Sequence, residues 1–193
     1  EIDSDVEEVK YNNAAGIGLF RSEFLFLQRE NNLASEDEQF EAYSRVVREM
    51  KKKPVTIRTA DLGADKNPVW NSAHGESENP ALGLTGIRLL LAEQGFFRTQ
   101  LRAILRASFY GKIQVLFPMI SSAWELKQAI TQLEYAKSEL REEEIPFDEK
   151  IMVGAMIEIP SAAIAIKSIL SLVDFVSIGT NDLIQYLLAI DRN

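Results

Sequence analysis

Short apolar runs that end in polar residues alternate along the chain with stretches of helical periodicity. The five runs are Gly16–Phe20, Val55–Ile57, Ile113–Phe117, Ile151–Ile157 and Phe175–Ile178. Most are continuous in hydrophobicity, as expected for strands that are covered on both faces of a sheet. Alternation of such strands with helices is typical of βα units around a parallel sheet. The pattern therefore predicts an α/β protein with five βα units.

Capping residues and apolar spacing predict the helices between these runs. Ser35 with Glu38, and Ser122 with Glu125, each match the capping-box pattern that begins a helix. The predicted helices are Asp5–Asn12, one after Ser35, Phe96–Ala107, one after Ser122, Ser161–Leu170 and Asp182–Ile190. In Phe96–Ala107 the arginines at 98, 102 and 106 form a stripe apart from the apolar side chains.

The number of βα units sets the expected architecture. Five units are too few for a closed (β/α)₈ barrel, which typically takes about 250 residues. The segment Asp65–Gly83 is rich in turn residues and has no periodicity, and a loop of that length is usually functional or disordered. We find no linker, repeat or low-complexity tract. We therefore expect residues 1–193 to be a single partial barrel domain.

Composition narrows the class of protein. The 193 residues are 46% hydrophobic and 26% charged, as in soluble globular proteins. The net charge of −8 argues against nucleic-acid binding. No apolar stretch reaches the roughly 20 residues of a membrane span, and the first residues are acidic, unlike a signal peptide. We expect a cytoplasmic protein. Without cysteine the chain has no disulfide, thiolate metal site or cysteine nucleophile.

Ionisable residues follow four of the five apolar runs. In strand order the residues after the runs are Arg21 and Glu23, Arg58 and Asp61, Pro118 and Met119, Glu158, and Asn181 and Asp182. In a parallel barrel the carboxyl ends of the strands build the active site. Two arginines on neighbouring strands suit a phosphate or a carboxylate, and Arg88 and Arg192 could add to that pocket. Alternatively, each arginine simply pairs with a carboxylate such as Glu23 or Asp61.

Two further carboxylates, Glu158 and Asp182, are expected on adjacent strands. Two oxygen ligands, completed by substrate oxygens and water, form the sparse kind of site that Mg²⁺ accepts. The alternative is that Glu158 pairs with an arginine and Asp182 caps a helix. Lys66 is either a phosphate contact or a solvated loop lysine. His74, the single histidine, is expected at the surface and not in catalysis.

Longer motifs carry a family resemblance. They are Gly16–Phe26, Thr56–Thr59, Asp61–Lys66, Glu78–Gly83, Gln100–Ser108, Phe117–Ile120, Met156–Pro160 and Asp174–Tyr186 with Asp191 and Arg192. Together they resemble the phosphoenolpyruvate-utilising enzymes, and within that group Enzyme I of the bacterial phosphoenolpyruvate:sugar phosphotransferase system. The resemblance covers nearly the whole chain. It leaves the nitrogen-related branch of that system open.

The resemblance implies a fold and a set of site residues. The fold is a (β/α)₈ TIM barrel of the phosphoenolpyruvate/pyruvate type, with about five βα units in this chain. The residues implied for phosphoenolpyruvate are Arg21, Arg58, Asn181, Asp182 and Arg192, with Arg88 as a secondary contact. Glu158 and Asp182 would bind Mg²⁺ as the cofactor.

The resemblance also implies an activity and partners. Enzymes of this kind are transferases, or kinases in the broad sense, that act in sugar transport. They pass the phosphoryl group of phosphoenolpyruvate to a histidine on a separate domain and then to the histidine-containing phosphocarrier protein, releasing pyruvate. The full-length protein is expected to be a homodimer. The family's histidine and its proton-donating cysteine have no counterpart here, so we expect no catalytic residue in this chain and no turnover by it alone.

Two other functions use the same fold. The first is a non-catalytic module that senses phosphoenolpyruvate or mediates dimerisation. The second is a Mg²⁺-dependent lyase or aldolase acting on 2-oxo acids. Binding without chemistry favours the first, and cleavage of a 2-oxo acid without phosphorylation of a histidine favours the second.

Overall fold

A computed structural model describes residues 2–27, 33–63, 79 and 82–190. The strands are β1 (Ile17–Arg21), β2 (Val55–Arg58), β3 (Ile113–Phe117), β4 (Met152–Ile157) and β5 (Phe175–Ile178). Each begins and ends within one or two residues of an apolar run. Strands β2 and β3 and most of β4 are buried, as expected for strands covered on both faces, whereas β1 and β5 are mostly of intermediate or high exposure.

Helices lie between and around these strands. They are α1 (Ile2–Tyr11), α2 (Phe24–Leu27), α3 (Glu36–Met50), α4 (Ile87–Ala92), α5 (Gln94–Ser108), α6 (Ala123–Glu142), α7 (Pro160–Ile164), α8 (Ile166–Leu170) and α9 (Thr180–Leu188). The segments 64–78 and 80–81, which hold most of the long turn-rich stretch, lie outside the described residues.

All five strands are parallel, and their order in the sheet is their order in the chain. The sheet curls into a half-barrel with helices against it, which confirms the α/β fold class and agrees with part of a TIM-type barrel. Because the strands are parallel, their carboxyl ends lie at one end of the half-barrel. In the register of β1 and β2, Arg21 lies directly beside Arg58.

The two best-predicted helices form much of the core. Helix α3 has the full capping box, with Glu38 N–H donating to Ser35 and the Glu38 carboxylate accepting from the Ser35 backbone. Its buried face includes Tyr43 and Val47, both 0% exposed. Leu101, Ile104 and Leu105 of α5 are likewise buried. Burial of these side chains stabilises the fold through the hydrophobic effect.

Two local predictions were wrong in detail, and two short helices were missed. The Glu125 carboxylate accepts from the N–H and hydroxyl of Ser121 rather than from Ser122, so only half of the second capping box forms. The helix predicted over Ser161–Leu170 is interrupted at Ala165, where φ is −90° and ψ is 21°. The short helices α2 and α4 had no clear apolar periodicity and were not predicted.

The last βα unit is the least covered. Helix α9 has no buried residue, and Ile178 and Leu187 are 66% and 65% exposed. Strand β5 lies at the edge of the sheet formed by the described residues, where it pairs with β4. Within the described part of the chain, no helix is both long and apolar enough to cross a membrane.

Candidate functional site

The carboxyl ends of the strands bring together charged side chains that are distant in sequence. Arg21 and Arg58 are the last residues of β1 and β2, Glu158 follows β4, and Asp182 lies in the first turn of α9. The strand-end cluster is defined here as Arg21, Arg58, Glu23, Asp61, Glu158 and Asp182. Its members come from four different strand ends, as the parallel sheet requires.

Arg58 makes the most contacts in the cluster. Its Nη2 donates to Glu23 Oε1 at 3.0 Å, and its Nη1 lies 3.0 Å from Asp61 Oδ2. Nη1 also lies 3.8 Å from the sulfur of Met156 on β4. The alternative that Arg58 pairs with Glu23 or Asp61 is therefore realised with both. Its buried Nε has no hydrogen-bond partner among the described residues.

Glu23 fixes the distance between the ends of β1 and β2. Its side chain is about nine-tenths buried, and Oε1 accepts from both Arg58 Nη2 and the Asp61 N–H, the latter at 2.9 Å. A carboxylate that accepts from a guanidinium and a backbone amide together is held more strongly than in a neutral hydrogen bond. Glu23 therefore orients Arg58. Arg21, the neighbour of Arg58 in the strand register, is exposed.

Glu158 is the most deeply buried carboxyl group of the cluster, with 1% exposure. Its Oε1 accepts from the Met119 N–H at 2.6 Å. Burial raises the pKa of Glu158 to about 7, and the charges of Asp61 and Asp182 add to this, while the Met119 N–H and Arg58 oppose it. Near neutral pH the carboxyl group therefore exchanges between its acid and its ionised form.

The backbone around Glu158 is unusually constrained. Met119 has φ of 56° and Gly86 has φ of 53°, a region that side chains disfavour. A Cβ added at Gly86 would lie 2.7 Å from Met119 Cβ and 3.2 Å from Asp61 Oδ1. A Cβ added at Gly179 would lie 2.5 Å from Glu158 Oε2. Both glycines allow the close approach that places the Glu158 carboxyl group.

The charges in the cluster are unbalanced in favour of acid. Two guanidinium groups, of Arg21 and Arg58, accompany four carboxyl groups. A buried carboxyl group such as that of Glu158, with the charges of Asp61 and Asp182 nearby, is stabilised by protonation or by a bound cation. The described residues contain no group of three or more His, Cys, Asp or Glu side chains arranged around one metal position. The donor set of Glu158 and Asp182 nonetheless fits Mg²⁺, which commonly takes one or two carboxylates and keeps several waters.

The other predicted residues differ in placement. Asn181 is exposed in the first turn of α9, whose N-cap is Gly179, so Asp182 is not the capping residue. Arg88 Nη1 donates to the Gly83 carbonyl at 3.1 Å, and its Nε lies 3.5 Å from Glu125 Oε1. One of these contacts lies in the first turn of α6 and the other just before α4. Arg192, Lys66 and His74 lie outside the described residues.

Sequence reasoning missed the residues that support Glu158. Met119 was recognised as following β3, but not as the donor to Glu158, because that bond spans 39 positions. Gly179, which directly follows the apolar run Phe175–Ile178, was not among the predicted site residues. A glycine directly between a buried strand and a polar helix start is the one signal that could have indicated a close packing partner.

Comparison with known proteins relates this arrangement to a family. A family model described as the PEP-binding domain of PEP-utilising enzymes matches residues 1–193. The phosphoenolpyruvate-protein phosphotransferase of Cupriavidus necator is 52% identical over 180 residues, covering 93% of this chain and 31% of the relative. Those of Haemophilus influenzae and Priestia megaterium are each 48% identical over 188 residues, covering 97% of this chain and 32% of the relative. The chain thus spans about a third of the length of these relatives.

Proposed function

Because the chain belongs to the family of PEP-binding domains of PEP-utilising enzymes, we propose that its strand-end cluster binds phosphoenolpyruvate. The wider activity that we propose is that of a phosphoenolpyruvate-protein phosphotransferase, the name carried by the relatives. The observation that carries the proposal is the position of Arg21 and Arg58, side by side at the strand ends with Arg58 fixed by Glu23.

The arginines are the proposed ligands of the substrate anions. The planar guanidinium groups of Arg21 and Arg58 offer parallel donors to phosphate or carboxylate oxygens. Arg21 is exposed, so its guanidinium group is accessible to an anion. Asn181 and Arg192 are proposed as additional ligands and Arg88 as a secondary contact, on the strength of the motif match alone.

Glu158 and Asp182 are the proposed Mg²⁺ ligands. The support is the excess of carboxyl groups and the raised pKa of Glu158, both of which a divalent cation would relieve. When bound, Mg²⁺ supplies positive charge beside the phosphoryl and enolate oxygens. The chain's own part is to hold the two carboxylates at adjacent strand ends, with Met119 N–H fixing one oxygen of Glu158.

The proposed reaction is phosphoryl transfer to a histidine elsewhere in the full-length protein, then to the histidine-containing phosphocarrier protein. The bond from phosphorus to the enol oxygen breaks, a bond from phosphorus to the histidine nitrogen forms, and protonation of the enolate gives pyruvate. Phosphoryl transfer depends mainly on positioning and charge stabilisation. Arg21 and Arg58 would provide both by orienting the substrate. We propose a cytoplasmic homodimer acting in sugar transport as the setting.

Transfer of labelled phosphate tests this function. The full-length protein is incubated with Mg²⁺ and phosphoenolpyruvate carrying radioactive phosphorus, and acid-labile label on the protein is measured with pyruvate release. We expect label on a histidine and its passage to added phosphocarrier protein. Binding without labelling would support a sensing module instead. Cleavage of a 2-oxo acid without labelling would support a lyase.

A further inference from the structure

A group of buried polar side chains lies directly behind the arginines of the strand-end cluster. Gln100 of α5, Tyr43 of α3 and Ser22 after β1 are each 0% exposed. We call these three side chains the Gln100 network. Buried polar groups destabilise a core unless they are hydrogen-bonded, so the partners of each atom show what the network holds in place.

The hydrogen bonds of Gln100 have only one consistent direction. Oε1 accepts from the Ala60 N–H at 2.9 Å, and a backbone N–H can only donate, which fixes the orientation of the amide. Nε2 then donates to Ser22 Oγ at 3.0 Å and to the Tyr43 hydroxyl at 3.1 Å. The Ser22 hydroxyl donates in turn to the Arg58 carbonyl at 2.8 Å. The Gln100 amide thus bonds a group beside the end of β1, a group beside the end of β2 and a group on α3.

The groups held by Gln100 flank the site residues. Ala60 lies between Arg58 and Asp61, and Ser22 lies between Arg21 and Glu23. One amide therefore links the backbone that carries the end of β1 to the backbone that carries the end of β2. We propose that Gln100 is a positioning residue that sets the relation of Arg21 and Glu23 to Arg58 and Asp61. Its effect on phosphoenolpyruvate rests on the proposed function.

The ends of β1 and β2 are joined by Glu23 as well as by Gln100. Glu23 accepts from Arg58 Nη2 and from the Asp61 N–H through one carboxylate oxygen. Gln100 reaches the same backbone from α5, in the core. Since a misplacement of about 1 Å in a binding site can cost on the order of a hundredfold in rate, loss of the core contact should be measurable in substrate binding.

The test is Gln100→Met in the full-length protein, which keeps the length of the side chain and removes its hydrogen bonds. We expect the KM for phosphoenolpyruvate to rise by about tenfold or more, and the Ala60 amide to exchange hydrogen about tenfold faster. The matched control is Gln132→Met on α6, another buried glutamine, whose Oε1 has no partner among the described residues. It should leave the KM within about twofold of wild type whatever its effect on Tm.

Each result decides the proposal. A folded Gln100→Met variant with the KM and the Ala60 exchange rate of wild type would overturn it. If Gln100→Met does not fold, Ser22→Ala removes the hydroxyl that accepts from Gln100 Nε2 and donates to the Arg58 carbonyl, while the groups that bond Gln100 at Ala60 and Tyr43 remain. A raised KM supports the proposal and an unchanged KM overturns it. If wild type neither binds nor uses phosphoenolpyruvate, the proposed function fails, while the Ala60 exchange rate still decides whether Gln100 positions the strand ends.

Discussion

Two groups of arginines and carboxylates, one at the strand ends and one on the outer helices, differ in how their carboxyl groups are bonded. The outer ion-pair cluster joins α3, α5 and α6 and comprises Arg102, Arg106, Glu36, Asp37 and Glu143. Arg102 bonds Glu36 Oε2 at 2.6 Å through Nε and both oxygens of Glu143 through its two Nη atoms. Arg106 bonds Glu36 and Asp37 through Nη1.

A carboxyl pKa is lowered in the outer cluster and raised at the strand ends. In the outer cluster, hydrogen bonding to Arg102 lowers the pKa of Glu143, and that bond raises the pKa of Arg102 in turn. At the strand ends, burial and neighbouring carboxylates raise the pKa of Glu158 to about 7. Carboxylates with matched cations are stabilised in their ionised form, and Glu158 is not.

This difference separates a structural role from a binding role. Each of the three carboxylates of the outer cluster bonds an arginine of the same cluster. At the strand ends, the buried Glu158 lies near the charges of Asp61 and Asp182, an arrangement that a bound cation would stabilise, and the exposed Arg21 is accessible to an anion. Perturbed groups of this kind are enriched at functional sites.

The largest effect is expected from the pH dependence of Glu158. Its folded pKa of about 7 lies above the ordinary value of 4.5, so the folded state holds a proton that the unfolded state releases. Its contribution to stability is therefore complete below about pH 4.5 and is lost as pH rises through 7, a total of about 3 kcal/mol. Chemical denaturation of wild type and Glu158→Gln across this range measures the difference.

In the Glu158→Gln variant this fall in the free energy of unfolding with rising pH should be absent. The variant should also lose the Mg²⁺ dependence and the activity that we propose. Glu149→Gln is the control, because Glu149 pairs with Arg141 at the surface and burial there is slight. Equal pH slopes in wild type and Glu158→Gln would show that the charge of Glu158 is matched, and the contrast between the clusters would be wrong.

The second prediction concerns Arg58. Arg58→Ala should raise the KM for phosphoenolpyruvate roughly a hundredfold, because charge-assisted hydrogen bonds are worth about 1.5–3 kcal/mol each. Steady-state pyruvate release by the full-length protein is the measurement, and Arg102→Ala is the matched arginine control. A KM for Arg58→Ala as low as that of the control would remove Arg58 from the substrate site.

The third prediction concerns the space beside Glu158. Gly179→Ala would put a methyl group 2.5 Å from Glu158 Oε2 and 2.7 Å from its Cβ, so the carboxyl side chain must move. We expect activity to fall about tenfold. Gly95→Ala is the control, since a Cβ there meets nothing within 4 Å. Full activity of Gly179→Ala would mean that the position of Glu158 is not critical.

Helices and strands followed from the sequence where local pattern decides them. Continuous apolar runs marked the strands, and the capping residues Ser35 and Glu38 marked the start of α3. The break at Ala165 did not follow, because no proline or glycine lies there to signal it. For the site, the general rule for parallel sheets predicted which strand ends carry charge, and the structure places Arg21 and Arg58 side by side.

The sequence did not predict which groups within the site bond to each other. Arg58 had several carboxylates in reach, and its bonds to Glu23 and Asp61 depend on the register of β1 and β2. The core position of Gln100 and its bond to the Ala60 N–H join residues 40 positions apart. Periodicity reports which face of a helix is buried, but not which buried polar groups meet.

The smallest predicted effect is on the outer cluster. Arg102→Ala should lower the free energy of unfolding by about 1 kcal/mol, since partly exposed ion pairs contribute little individually. It should leave the KM for phosphoenolpyruvate within about twofold of wild type. Urea denaturation and steady-state kinetics measure the two. A large change in KM with unchanged stability would reverse the roles given to the two clusters.

Calorimetric titration of phosphoenolpyruvate into the full-length protein, with and without Mg²⁺, tests most directly whether the strand-end cluster takes up a cation and an anion together. For wild type we predict saturable binding that strengthens when Mg²⁺ is present, and for Glu158→Gln no such strengthening. Binding of equal strength in both proteins, whether or not Mg²⁺ is added, would contradict the account.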